Sequence, residues 1–285
     1  MKTTKQLFKH YLSIIMAVVL SFAIVSCGDD DEDSSTPAPT LPSTTYDLAE
    51  MGGSGVSGTA KFEKVDDQTT KVTLELTGTP TDGDHPAHIH MDNAATGGGI
   101  AISLTNVDGN SGMSETTVTT KDDDTAITYE ELIDFDGYIN VHLAPDNLGT
   151  IVAQGDIGSN ALTGESKSYT LNEFDNSGIL GTVLFEERIN GEALATISLQ
   201  NTPAGGSHPA HIHENDAATG GPIYFSFNAV DGTSGMSKTN VASSDGGDDF
   251  GYADVLVVNG YVNVHLADTA LSTIVAQGDI GANDQ

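Results

Sequence analysis

The sequence predicts an all-β protein, built as two tandem antiparallel Greek-key β-sandwich or barrel domains behind an N-terminal address. Three observations predict this. Sliding the chain on itself by 123 residues aligns 46–158 with 169–281 without a gap, and 55 of those 113 positions are identical. Inside each copy, apolar and polar residues alternate with the period of a half-buried strand. Short apolar runs are then separated by the Asp-Gly and Gly-Gly pairs that mark tight turns. A period this long means two whole domains, because stacked small repeats recur every 20–50 residues or so.

Composition narrows the function classes. The chain has 285 residues, 41 Asp+Glu against 10 Lys+Arg, one Cys and no Trp, for a formal charge of −31. Such a polyanion repels nucleic acid, whose binding depends on neutralising phosphates. It equally repels anionic lipid head groups. A lone Cys excludes an internal disulfide framework and a thiolate zinc cluster. Hydrophobic content of 38% with 32 Gly suits two modest cores better than one large one.

The elements follow in chain order. Lys2, Lys5 and Lys9 precede an apolar run from Tyr11 to Val25, the layout of a signal peptide and too short for a comfortable transmembrane helix. It ends in Ile24-Val25-Ser26-Cys27. That ending resembles a bacterial lipoprotein signal over 1–26, which implies cleavage before Cys27 and membrane anchoring by acyl chains on it; several chains hold stably where one does not. Residues 27–45 form an acidic, then Ser/Thr/Pro-rich tether that buries too little to fold. The acidic run resembles the surface-export signal of Bacteroidetes-type lipoproteins. It implies a surface-exposed outer-membrane lipoprotein, the alternative being a periplasm-facing one.

Domain 1 is expected over 46–158, a small-residue linker over 159–168 and domain 2 over 169–285. Val72, Leu74 and Leu76 alternate with Lys71, Thr73 and Glu75, and Ala195, Ile197 and Leu199 repeat the pattern. Gly99–Leu104, Tyr138–Leu143 and Thr150–Ala153 read as further strands, and Thr128 to Asp134 as a helical turn. Asp108-Gly109 and Asp231-Gly232 read as turns, since the regular spacing of a calcium loop is absent. Asp122–Asp124 and Asp245–Asp249 read as solvated loop charges.

The histidines carry the chemistry. Apart from His10, all of them belong to the duplicated set: His85, His88, His90 and His142, then His208, His211, His213 and His265. Residues two apart on a strand share a face about 7 Å apart. His88 and His90 therefore face one way and Ala87 and Ile89 the other. In the later strand Tyr138, Asn140 and His142 oppose Ile139, Val141 and Leu143. If the two strands are neighbours, three imidazoles converge on the outer face of each domain. Neutral imidazole is the commonest ligand for copper, zinc and similar transition metals. His85 and His208, each before a proline, are candidates for a fourth ligand or for a partner behind the ligands. The loop 91–99 would cover the site. The same histidines could instead hydrogen-bond loop carbonyls as structural groups, or act as a direct ligand or acid–base set.

HPAHIH, the Gly-rich loops ATGGGI and ATGGPI, then GYINVH or GYVNVH and IVAQGDIG resemble the CHRD domain, in both copies and over nearly the whole chain after the tether. The resemblance implies an all-β extracellular module whose biochemical activity the family does not define. The chain departs from the family at Gly149-Thr150-Ile151-Val152-Ala153-Gln154-Gly155, where members carry a charged Gly-Glu-Ile-Arg-Gly-Gln type ending. His211-Ile212-His213-Glu214 and Asn263-Val264-His265 are also reminiscent of the copper strands of copper/zinc superoxide dismutase, without its Cys pair or a zinc-ligand set.

Together these features favour a membrane-anchored binding module with a metal site of copper or zinc in each domain, rather than an enzyme. The alternatives are a superoxide dismutase-like copper redox enzyme, and an adhesion or interaction protein with a protein or glycan partner and purely structural histidines. No catalytic residue and no organic cofactor is indicated.

Overall fold

The computed structural model describes residues 41–284. The expected signal peptide, Cys27 and nearly all of the tether lie outside the described residues. Almost every element is an antiparallel strand, as the alternation requires. In the first repeat, β1 (Ser43–Glu50), β2 (Ser57–Lys64), β3 (Thr70–Thr77), β4 (Asp84–Met91), β5 (Ile100–Asp108), β6 (Met113–Val118), β7 (Asp136–Ala144) and β8 (Asn147–Gly158) close into a barrel. Its order is β1-β2-β3-β6-β5-β4-β7-β8. Strands β4, β5 and β6 form a meander and β3 returns beside β6, which is a Greek key. Closure leaves no free edge to pair with another chain.

The second repeat contains β9 (Leu162–Glu173), β10 (Leu180–Arg188), β11 (Ala193–Gln200), β12 (Ser207–His208), β13 (Ala210–Glu214), β14 (Ile223–Ser226), β15 (Val230–Asp231), β16 (Met236–Val241), β17 (Asn259–His265) and β18 (Ile274–Gly281). These form one curled ten-stranded sheet, ending at β12 and β14. The counterpart of β4 is split at Pro209 into β12 and β13, although Pro86 holds the same place in the unbroken β4. The counterpart of β5 is split between Ser226 and Val230. The ring is therefore interrupted where the first repeat closes it.

Each repeat has its own core. Ala60, Phe62, Val72, Leu74, Ile89, Ile139 and Val141 are all buried in the first, and Phe185, Ala195, Ile197, Ile212, Val262 and Val264 in the second. The expected alternation at Val72, Leu74 and Leu76 lies on β3, and its repeat on β11. The expected helical turn is α1 (Tyr129–Leu132). Thr128 caps it with Glu131 in a reciprocal capping box, satisfying two N–H groups that a short helix leaves open. The second repeat has α2 (Tyr252–Val255) at the matching place, despite sequence divergence there.

Two boundaries differ from expectation. Strand β1 begins at Ser43, inside the expected tether. Leu162–Ser168, expected in the linker, is the first half of β9 and pairs with β10 from Glu186 to Arg188 and onward to Leu184. These residues are small and polar because they are exposed on the sheet, and a polar strand resembles a linker in composition.

Candidate metal centre

Neighbouring strands bring the histidines together. In the β4–β7 register His88 stands opposite Asn140 and His90 opposite Tyr138, with Ala87 opposite Val141 and Ile89 opposite Ile139. The second repeat is the same, with His211 opposite Asn263 and His213 opposite Tyr261. Ala87, Ile89, Ile139 and Val141 fill the core, so the imidazoles face outward as the alternation predicted. Register shifts fall beside the site, between Ile89 and His90 and between Val141 and His142. Such bulges re-aim single side chains. The second repeat has them at Ile212/His213 and Val264/His265.

Two triads result: His88, His90 and His142, and His211, His213 and His265. In each, one nitrogen from every ring lies within 4.8 Å of the others. The ring centroids of His88 and His142 are 5.2 Å apart, and those of His211 and His265 are 5.1 Å apart. Bonds of about 2.0–2.1 Å to a common ion bring such nitrogens to roughly 3.4 Å from one another. Small ring rotations therefore close the set.

Backbone carbonyls set the tautomers. His90 Nδ1 donates to the Gly98 carbonyl at 3.0 Å, and His142 Nδ1 donates to the Leu148 carbonyl at 2.7 Å. The proton is then on Nδ1, and Nε2 holds the lone pair a metal needs. His213 repeats the arrangement on the Gly221 carbonyl at 2.9 Å. Tyr138 stacks on His90 at 4.9 Å and its hydroxyl accepts from Gly98 N at 3.1 Å. The loop 91–99 thus grips the site rather than merely passing over it, and Tyr261 does the same for His213.

The donor set fits a cation. His90 Nε2, His88 Nδ1, His213 Nε2 and His211 Nδ1 are buried with no hydrogen-bond partner among the described residues. Buried nitrogens are normally satisfied, and two such orphans in each triad indicate a missing partner. Burial, then repulsion from neighbouring imidazoles, holds the pKa of His88 and His211 below the ordinary value for histidine. Burial also lowers His142 and His265, against the opposing carbonyls of Leu148 and Leu271. Neutral rings near pH 7 are ready to donate a lone pair.

His85 and His208 do not join the triads. Both are fully buried, on the core side of the strand, because 85, 87 and 89 share the parity opposite to 88 and 90. The His85 ring donates Nδ1–H to the His142 carbonyl at 3.2 Å, and His208 does so to the His265 carbonyl at 3.2 Å. They brace the strand that carries the third ligand. Gly83 makes room, since a Cβ there would sit 2.3 Å from His85 Nε2.

Asp122 and Asp245 are exposed turn charges, as expected, and each also ties its turn to a neighbouring strand. Asp122 accepts from Ser103 N at 2.9 Å and Ser103 Oγ at 2.7 Å, and its charge acts on His88. Asp245 does the same with Ser226 at 3.0 and 2.7 Å, beside His211. Their recurrence at the 123-residue offset was the available signal. Asp108 behaves as the expected turn residue, accepting from Ser111 N at 2.8 Å.

The lowered pKa values make the fold acid-sensitive before the carboxylates titrate. Below pH of about 6.5 the unfolded chain binds protons that folded His88, His142, His211 and His265 refuse. Stability is therefore complete above that pH and is lost as pH falls toward the folded values. The metal-free protein should melt at lower temperature at pH 5.5 than at pH 7.5. Combining His88→Gln with His211→Gln should shrink that difference, and a difference left unchanged would contradict the assignment.

No family model matches the chain, and no curated protein does. Among solved structures, the chain is similar to superoxide dismutase 5 of Candida albicans. A mutant form of that enzyme aligns with 18% identity over 42% of this chain and 92% of the other, at a TM-score of 0.28. A copper(II) form aligns with 19% identity over 44% and 95%, at a TM-score of 0.27.

Proposed function

We propose that the protein is a metal-binding β-module of the CHRD type, held at a membrane through acyl chains on Cys27 and carrying one copper or zinc ion per repeat. His88, His90 and His142 hold the first ion, and His211, His213 and His265 the second. The observation that carries this is the convergence of three imidazoles in each repeat, two of which hold a buried nitrogen with no partner among the described residues. An all-imidazole set without thiolate suits Cu²⁺ and Zn²⁺ alike. A bound ion supplies positive charge and an open coordination position; the chain's own groups orient the rings and exclude water from one side. The outward-facing lipoprotein arrangement is part of the same proposal, and rests on the sequence before residue 46.

Binding is favoured over redox turnover, because a chain at −31 repels an anionic substrate such as superoxide. Elemental analysis of the full chain, purified without an affinity tag and dialysed against Cu²⁺ or Zn²⁺, should find two ions per chain. A ligand specific to the folded state raises stability by about 4 kcal/mol at a thousand times its dissociation constant. No retained metal together with an unchanged melting temperature would leave the histidines purely structural.

A further inference from the structure

Arg188 is the chain's one arginine, and it is 1% exposed. It sits at the end of β10, where the second repeat meets the first. Its Nη1 donates to Asp156 Oδ2 at 2.8 Å and to the Asn160 carbonyl at 2.6 Å. The turn that follows it docks with it. Ile189 N donates to the Ala161 carbonyl at 3.0 Å, and Asn190 N to the Ser159 carbonyl at 2.9 Å. Asn190 Nδ2 donates to Asn160 Oδ1 at 3.2 Å. Residues 188–191 are thus a plug, and the first repeat supplies its socket. The socket is braced by Ala94 N on Asp156 Oδ1 at 2.8 Å, and by Asn160 Nδ2 on the Asp92 carbonyl at 3.0 Å.

The duplication repeats the socket but not the plug. In the second repeat Ala217 N donates to Asp279 Oδ1 at 2.8 Å. Asn283 Nδ2 donates to the carbonyls of Asn215 at 2.9 Å and Gly260 at 3.2 Å. These bonds reproduce the bracing around Asp156 and Asn160. They orient the same two acceptors, the outer carboxylate oxygen and the asparagine carbonyl, that hold the guanidinium in the first repeat. Here they line an open hollow together with Thr170, Asn172, Asp216 and Asp284. Asn160 is fully buried under the plug, whereas Asn283 is only half-buried. Lys167 bonds Asp284 at 2.7 Å, which leaves Asp216 and Asp279 to give the hollow its negative charge. At the plug's own counterpart the first repeat has Val65-Asp66-Asp67-Gln68, with no cation.

The geometry points to a second guanidinium site: the hollow around Asp279 and Asn283 binds an arginine side chain presented on a turn of a partner polypeptide. A second copy of this chain does not fit the role, because its single arginine is already spent in its own socket. Lysine fits less well, since the planar fork of arginine serves a carboxylate and a neighbouring carbonyl together.

The protein's own plug supplies a probe, the synthetic peptide Glu-Glu-Arg-Ile-Asn-Gly-Glu of residues 186–192. Titrated into the ¹⁵N-labelled full chain, it should shift the amide signals of Ala217 and Asn283 saturably. Asp279→Asn keeps the Oδ1 acceptor for Ala217 N and should weaken binding at least tenfold. Thr170→Arg, at an exposed strand position, should occupy the hollow with its own cation and weaken binding as much. A peptide with citrulline for arginine should not bind. Absence of saturable shifts, or binding indifferent to both substitutions, would make the hollow a relic of duplication. Self-association of the chain through this surface would overturn the assignment to a separate partner.

Discussion

Replacing His90 and His142 together with alanine should halve the metal content of the chain, from two ions to one. The first triad draws one donor from each of three positions, and the double substitution leaves only His88. A single imidazole on an open surface does not hold Cu²⁺ or Zn²⁺ against buffer. The second repeat, with His211, His213 and His265 intact, is the control within the same molecule. Metal-dependent stabilisation should disappear from the first repeat and persist in the second, which separates loss of a site from general misfolding. The folded apo protein should survive, since His90 and His142 face outward from a core that they do not fill. Retention of two ions by the variant would remove the basis for three-ligand convergence.

Arg188→Ala should cost about 3–5 kcal/mol, the usual consequence of removing one member of a buried ion pair. The carboxylate of Asp156 is 11% exposed beside a guanidinium that is fully buried. Truncation leaves that carboxylate and the Asn160 carbonyl facing a void. The effect should be seen in chemical denaturation, as the two repeats cease to unfold together and the transition broadens or splits. Arg188→Met should cost less. It fills the volume and removes a buried cation whose Nε and Nη2 have no partner among the described residues, and apolar replacements of buried ion pairs are often neutral. If alanine and methionine cost the same, the arginine acts at this junction by volume rather than by charge.

Much of the site is legible in one dimension because strand periodicity is two. His88 and His90 must share a side, Ala87 and Ile89 must take the other, and the same holds for Tyr138, Asn140 and His142. What periodicity lacks is adjacency: β4 and β7 are separated by two strands in the chain yet hydrogen-bonded in the barrel. Parity already implied that His85 lies with Ala87 rather than with His88, and the structure shows it buried behind the ligand strand. That the exposed Asp122 also bonds Ser103 was not legible, because Ser103 lies on a separate strand. Leu162–Ser168 looked like a linker because an exposed strand and a linker share small polar residues.

From sequence alone the chain declares its duplication, its all-β character, its excess of negative charge and the inward or outward side of every strand histidine. These are local or compositional properties, carried by residues a few positions apart. Tertiary structure alone decides that three imidazoles share one point, which carbonyls set their tautomers, and that the single arginine closes one of two matching sockets. Such facts depend on which strands lie side by side, and strand order is settled by how the two cores pack, across separations that no short-range pattern encodes.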